Sequence, residues 1–223
     1  MNEITRQFIR DNLNTDVPTL ALRKAPVGTD VSLALRQIEA RQLLQKKVPE
    51  WSINEDLLFP AHLSIEQCSS EATARYKANL LKSNTFADLT GGLGIDTYYL
   101  SLRFQETDYV ERQPELCALA RHNFDILQTN IKVFNESAEE YLKHCEPKDC
   151  IYIDPARRDS HGRKTVSISD CTPDVVTLQD LLLQKAETVM VKLSPMLDIS
   201  KALEELKCVK EIHVLAVGNE CKE

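Results

Sequence analysis

"FADLTGGLGID" runs from Phe86 to Asp96 and sets Gly91, Gly92 and Gly94 directly after an apolar segment. Three of the chain's six glycines therefore crowd into four positions. Glycine lets a backbone approach another group closely, and N–H groups lining a strand-to-helix turn suit an anionic or strongly polar ligand. The stretch predicts a strand, "TFADLT", and a helix, "DTYYLSLRF", joined by that turn. The same alternation continues downstream. "TDYVER" reads as a second strand and "PELCALARHNFDIL" as a helix with Leu116, Leu119, Ala120, Asn123 and Leu127 on one face. "IKVFN" and "CIYID" read as strands three and four, with "SAEEYLKH" helical between them. "TPDVVTLQDLLLQKA" predicts a helix with Thr172 as cap and Pro173 at its first position. "TVMVKL" is expected as strand five, "DISKALEELK" as a helix and "EIHVLAV" as strand six. Such alternation predicts a doubly wound, mainly parallel α/β sheet with helices on both faces.

Upstream of residue 84 the texture is helical. "NEITRQFIRDNL" brings Ile4, Phe8 and Leu13 to one face, and "TDVSLALRQIEARQLLQKK" begins at a cap, Thr29 or Asp30, with Val31, Leu35 and Ile38 aligned. "SSEATARYKANLLK" starts at a serine cap. Trp51, the single tryptophan, is expected to anchor this part. The division is a helical domain over 1–83 and an α/β domain over 84–223. The chain ends on "GNECKE", just past the expected sixth strand, and an uncovered sheet edge there is the expectation for a fragment of a longer protein.

Composition narrows the class. With 43% apolar residues the chain can bury a core, and a formal net charge of −7 gives no global attraction to nucleic acid or anionic membrane. Seven cysteines, with no CxxC pair, point away from a disulfide framework and from zinc, and fit a reducing cytoplasm. No run approaches the ~20 apolar residues of a membrane span. His62, His122, His144, His161 and His213 show neither metal-ligand spacing nor a Ser–His–Asp arrangement, so no metal is expected.

The ligand of the glycine turn has two readings. As a dinucleotide fingerprint, "GLGIDT" has Gly92 and Gly94 but Thr97 where the third glycine belongs, which disfavours NAD. As "DLTGGLG", with Asp88 closing the strand, it resembles the first motif of the class I S-adenosylmethionine-dependent methyltransferases, whose fold is Rossmann-like. The resemblance implies that Asp88, Thr90, Gly91, Gly92, Gly94 and Asp96 surround the amino-acid and ribose parts of S-adenosyl-L-methionine. It also implies that Glu111, with Arg112 beside it, closes strand two on the ribose. A carboxylate suits two hydroxyl donors. After strand three such enzymes carry an acid near the adenine. Here Ser137 stands at that position, followed by Ala138, and Glu136 is a possible substitute; both could instead cap the next helix.

Strand four leads into "DPARRDSHGRK". Amine-directed nucleic-acid methyltransferases show Asp/Asn-Pro-Pro-aromatic here. This chain keeps Asp154 and Pro155 but has Ala156 and Arg157 next, so the aromatic platform is missing. Uracil-C5 enzymes need a cysteine past strand five, and "KLSPMLD" has none. Longer stretches, "EQCSSEATARYKA", "YVERQPELCALARHNF", "IDPARRD" and "VMVKLSPMLD", are similar to bacterial methyltransferases with a THUMP-like C-terminal domain. That resemblance spans nearly the whole chain and implies an RNA-type domain beyond residue 223.

Arg157, Arg158, His161, Arg163 and Lys164 fall within eight residues. Arginine pairs bidentately with phosphate, so Arg157, Arg158, Arg163 and Lys164 are candidates for RNA docking; the alternative is a solvated loop paired to Asp159 or Asp170. Ser70, Glu71, Thr73 and Arg75 are candidates for the cofactor's methionine end, against simple capping, and Lys192 reads as a snorkelling side chain. The expectation is a methyltransferase acting on a base in RNA, with Asp154 and the Pro155 carbonyl orienting the acceptor. An inactive RNA-binding module and an NAD-type oxidoreductase stay open as alternatives.

Overall fold

Five parallel strands carry the molecule in a computed structural model that describes residues 1–60, 62–157 and 168–223. They are β1 (Thr85–Asp88), β2 (Glu106–Val110), β3 (Ile131–Phe134), β4 (Lys148–Ile153) and β7 (Ala186–Val191). Their order is β3-β2-β1-β4-β7. Two short antiparallel ladders accompany them: β5 (Ala156–Arg157) with β6 (Cys171–Thr172), and β8 (Ala216–Val217) with β9 (Glu220–Cys221). The chain winds outward from β1 to β3, then returns past β1 to β4. A crevice opens where the order reverses, outside the carboxyl ends of β1 and β4. The fold is a Rossmann-like α/β arrangement.

Among the described residues, six helices precede the sheet: α1 (Glu3–Asn12), α2 (Val17–Ala21), α3 (Val31–Lys47), α4 (Pro49–Ser52), α5 (His62–Gln67) and α6 (Glu71–Leu80). Five more of the described helices follow within it: α7 (Ile95–Ser101), α8 (Pro114–Ile126), α9 (Ala138–His144), α10 (Val175–Lys185) and α11 (Ile199–Glu205). Their starts follow local chemistry. Asp30 accepts the Leu33 amide at 3.0 Å, and Ser70 accepts that of Thr73 at 3.2 Å. Each satisfies an amide the helix leaves unpaired.

The helical front and the sheet share a core. Leu44, Trp51, Leu57 and Phe59 pack in one cluster with Phe86, Tyr99, Cys150 and Tyr152. Trp51 is fully buried, with its ring edge-on to Tyr98 at 5.6 Å. A second cluster lies around Ala87, Val110, Tyr141, Ile151 and Leu182.

Three expectations need correction. Residues 211–215 of the expected sixth strand carry no regular structure, and Ala216–Val217 pair only with Glu220–Cys221. The alternation of "EIHVLAV" is real, but a strand needs a partner with free backbone groups. Thr172 does not cap α10; Asp174 does, accepting the Thr177 amide at 3.1 Å. On α3 the buried stripe runs through Ala34, Gln37, Ile38, Arg41 and Leu44, and Val31 is exposed. Gln37 and Arg41 are drawn inside by the carbonyls of Phe59 and Leu57, which they bind at 2.9 Å each.

Candidate functional site

The glycine turn at the crevice is built from close contacts. Gly91 donates its amide to the Val110 carbonyl at 2.9 Å, and a Cβ there would stand 2.2 Å from the Tyr109 ring. Gly94 has φ +86°, and a Cβ would meet Phe124 at 2.9 Å. Both positions need glycine because two buried aromatic rings fill the space a side chain would take. Gly92 differs. At φ +53° its added Cβ would meet nothing nearer than the Thr90 carbonyl oxygen at 3.7 Å, so its bare backbone opens on the cleft.

Asp88 organises this turn from below. Its carboxylate accepts the Thr90 amide at 2.9 Å and the Thr97 hydroxyl at 2.6 Å. Burial pushes its carboxyl up to about 7, against the pull of those two donors. Thr97 is fully buried. The residue that breaks the dinucleotide fingerprint is thus the one that holds Asp88.

Glu111 sits at the end of β2 with each carboxylate oxygen on a different backbone amide, Gly92 at 3.1 Å and Gln113 at 2.9 Å. It is 8% exposed. Each oxygen keeps a further lone pair, so the pinned carboxylate can still accept two hydroxyls from the cleft. Arg112 is exposed on the rim. After β3, Ser137 and Glu140 form a reciprocal capping box for α9, and Glu136 pairs with His144 at 2.9 Å. Ser137 is therefore occupied as a cap while also lining the cleft, with Ala138 beside it.

At the end of β4, Asp154 donates its amide to the Thr90 hydroxyl at 2.7 Å. Its carboxylate Oδ2 accepts Lys192 Nζ at 2.7 Å. The parallel register dictates this pair. Ile153 lies opposite Val191, and the Lys192 amide donates to the Ile153 carbonyl at 2.9 Å, so Asp154 and Lys192 emerge side by side. Lys192 is no free snorkelling chain; its ammonium is held at the site and its side chain is 13% exposed. Burial lowers its pKa, but Asp154 and Asp96 outweigh that and hold it above its ordinary value.

A second lysine–carboxylate pair lies next to the first. Lys77 of α6 reaches Asp96 at 3.0 Å, and Asp96 also accepts Ser69 Oγ at 2.7 Å and Tyr152 Oη at 2.9 Å. Burial pushes Asp96 up, yet Lys77, Lys192 and Ser69 together bring its carboxyl below the usual range. Lys77 also contacts Glu223.

These groups surround a cavity of about 270 Å³. Asp88, Thr90, Gly91, Gly92, Gly94, Asp96, Glu111, Arg112, Ser137, Ala138 and Asp154 all line it. Pro155 is buried and does not. Ser70, Glu71, Thr73 and Arg75 stay outside: Ser70 caps α6, and Arg75 pairs with Glu71 at 2.8 Å over the Tyr99 ring. Their chain neighbours Gln67, Cys68 and Ser69 take the place expected of them. The Arg157 backbone lies in β5. Arg158, His161, Arg163 and Lys164 lie outside the described residues, as does Asp159. The missed residues are Lys192, Ser69 and Tyr152. A sequence signal existed for the first: two adjacent strands, "IYID" and "VMVK", both end on a charge of opposite sign. Among the described residues there is no group of three side chains placed to hold a metal ion, and no helix long and apolar enough to cross a membrane.

No family model and no curated protein matches this chain. Solved structures do. A crystal structure of a candidate methyltransferase from Porphyromonas gingivalis W83 is 33% identical, covers 99% of this chain and 56% of its own, and superposes with a TM-score of 0.82. An rRNA methylase from Streptococcus thermophilus is 16% identical over 60% of this chain and 77% of its own, with a TM-score of 0.42. A precorrin-6y C5,15-methyltransferase from Geobacter metallireducens GS-15 is 16% identical over 60% and 67%, with a TM-score of 0.44. The chain spans about half, 56%, of the Porphyromonas gingivalis protein. Across that whole span it shares the Rossmann-like fold of a methyltransferase-type protein.

Proposed function

We propose that this chain is an S-adenosylmethionine-dependent methyltransferase that acts on a base in RNA. The observation that carries the reading is the Glu111 carboxylate, held on the Gly92 amide at the crevice and lining the same cavity as Asp154. The residues present fit that cofactor. Gly92 leaves room for a ligand against bare backbone, Glu111 offers acceptors for paired hydroxyls, and Ser137 and Ala138 line the same cavity. The likeness to the Porphyromonas gingivalis structure supports the methyltransferase reading.

S-adenosylmethionine, when bound, supplies an activated methyl group on a sulfonium centre. The chain's own residues then have to align an acceptor and exclude water, a task that needs no strong general base. Asp154 is fixed from two sides, by Thr90 through its amide and by Lys192 through Oδ2. Its carboxylate accepts an N–H of the incoming base; Pro155, buried beside it and off the cavity lining, is left out of this role. Arg157, Arg158, Arg163 and Lys164 follow directly in sequence and would take the RNA backbone. We read 1–83 as the helical part, contributing Gln67, Cys68 and Ser69 to one wall. We read a THUMP-like domain, implied by the sequence resemblance alone, as a second RNA-holding unit. The free cysteines are those of a protein of the reducing cytoplasm.

Calorimetry tests the reading: S-adenosylhomocysteine should bind and raise the melting temperature, and NAD should do neither. Total RNA from cells lacking the gene should accept radiolabelled methyl groups. Binding of S-adenosylhomocysteine without transfer by either this chain or a longer form would mark it as an inactive binding module. Binding of NAD alone would replace the reading with an oxidoreductase.

A further inference from the structure

Asp154 emerges from β4 one residue beyond the last register pair with β7, and Lys192 emerges beside it. Lys192 Nζ holds Oδ2 at 2.7 Å. No donor among the described residues reaches Oδ1, and the Asp154 side chain, which lines the cavity, keeps 34% of its surface exposed. One oxygen is thus fixed and the other is open. We propose that Lys192 is a positioning residue: it pins Asp154 in one orientation and holds it as a carboxylate, so that Oδ1 accepts a hydrogen bond from an N–H of the methyl acceptor. This rests on the methyltransferase reading above.

The surroundings explain why such a partner is needed. Asp154 is faced by Asp96 and Tyr152, and it lies near Asp88, so its own neighbourhood is rich in acids. Its recessed position, the largest influence, and Asp96 both favour the neutral acid, whereas Lys192, helped by Lys77 of α6, favours the anion; the balance leaves its carboxyl above the ordinary range, where loss of Lys192 would raise it further. A protonated Asp154 would turn an acceptor into a donor at the oxygen carrying the proton, and an amine that must keep its lone pair free for methyl transfer would then be held by that lone pair. Asp96 is placed differently: Oδ2 accepts Ser69 and Tyr152, and Oδ1 lies 3.0 Å from the Lys77 ammonium. Lys192 is therefore the group that sets whether the open oxygen can act.

The test uses the 223-residue chain and reads two things. Carbon-13 carboxyl resonances, assigned to Asp154 by their loss in Asp154→Asn, give its titration midpoint without cofactor or activity. In Lys192→Met the proton affinity of Asp154 should rise by roughly tenfold or more, the size of effect expected for losing an opposite charge at this distance. Lys192→Arg should restore the wild-type midpoint. In parallel, the acid limb of the pH profile for methyl transfer to total RNA should move to higher pH in Lys192→Met and return in Lys192→Arg. If Lys192→Met fails to fold, Lys192→Gln replaces it. An unmoved midpoint overturns the proposal whether or not the chain is active. A moved midpoint with an unmoved pH profile overturns the positioning role. Failure of wild type to bind S-adenosylhomocysteine overturns the methyltransferase reading, and the acceptor role of Oδ1 with it, while leaving the midpoint as a measure of the ion pair alone.

Discussion

Asp149 and Asp154 mark opposite ends of one strand, and they are treated in opposite ways. Asp149, near the start of β4, accepts Ser83 Oγ at 2.8 Å and the amides of Asn84 and Thr85 at 2.8 and 2.9 Å. Those bonds, the Thr85 amide first, draw its carboxyl below the ordinary range. It is a clip that ties the entry of β1 to β4. Asp154, five residues later, has one oxygen on Lys192 and one open to a cavity. The difference is that Asp149 gathers three donors of the chain on Oδ2 and knits two strands together, whereas Asp154 holds a single side-chain donor on Oδ2 and turns to a cavity. Asp88, with three donors of the chain, and Glu111, with two, combine both features, since they too line the cavity.

The contrast can be broken experimentally. The largest effect is expected for Asp154→Ala, which should reduce methyl transfer on the order of 100-fold or more, as misplacing a reactant does. Cofactor affinity should stay near wild type, while the melting temperature falls somewhat because the Lys192 ammonium loses its partner. A radiolabelled-methyl assay at the wild-type rate would contradict the site assignment. Glu111→Ala comes next, weakening S-adenosylhomocysteine by about 1.5–3 kcal/mol through lost bonds to a charged acceptor; equal affinities by calorimetry would remove Glu111 from the site. Gly91→Ala should destabilise by about 1–3 kcal/mol, because the new methyl overpacks the Tyr109 ring, and urea unfolding measures it. Asp149→Ala differs from Asp154→Ala in its target: it should lower the melting temperature while methyl transfer by the folded fraction is kept. That loss should shrink in acid, since a depressed carboxyl stabilises above its unfolded pKa and ceases to as pH falls through the folded one.

The smallest effect is one of slope. Asp88 titrates at about 7 when folded, raised by burial, so the folded state keeps a proton that the unfolded chain has released. Its contribution is present in full below the ordinary carboxyl pKa and is lost as pH rises through about 7. Asp88→Asn should flatten that part of the stability curve between pH 4 and 7. An unchanged slope in denaturant titrations would mean Asp88 stays ionised across the range.

Much of this was legible in the sequence because it is written locally. Alternating strands and helices, the glycine turn, and the acids closing strands one, two and four need only neighbours along the chain. Lys192 was misread because its partner lies in another strand, and only the register of β4 against β7 joins them. Ser70 was preferred over Ser69 because capping chemistry is visible in sequence, whereas which serine faces a cavity depends on how α6 packs against α7. The sixth strand failed for a similar reason: alternation marks a segment able to pair, not the edge it pairs with.

The burial of Trp51 gives the molecule an optical probe of its own cohesion. It is the single tryptophan, fully buried where α4 meets the aromatic rings of α7 and the strands behind them. Its emission should be blue-shifted in the folded chain and move to the red when water reaches the indole. Helices from before residue 84 and strands from after it share that cluster, so fluorescence and far-ultraviolet circular dichroism should report one transition with the same midpoint. Two separated transitions would show that the helical front can let go of the sheet while the sheet stays folded.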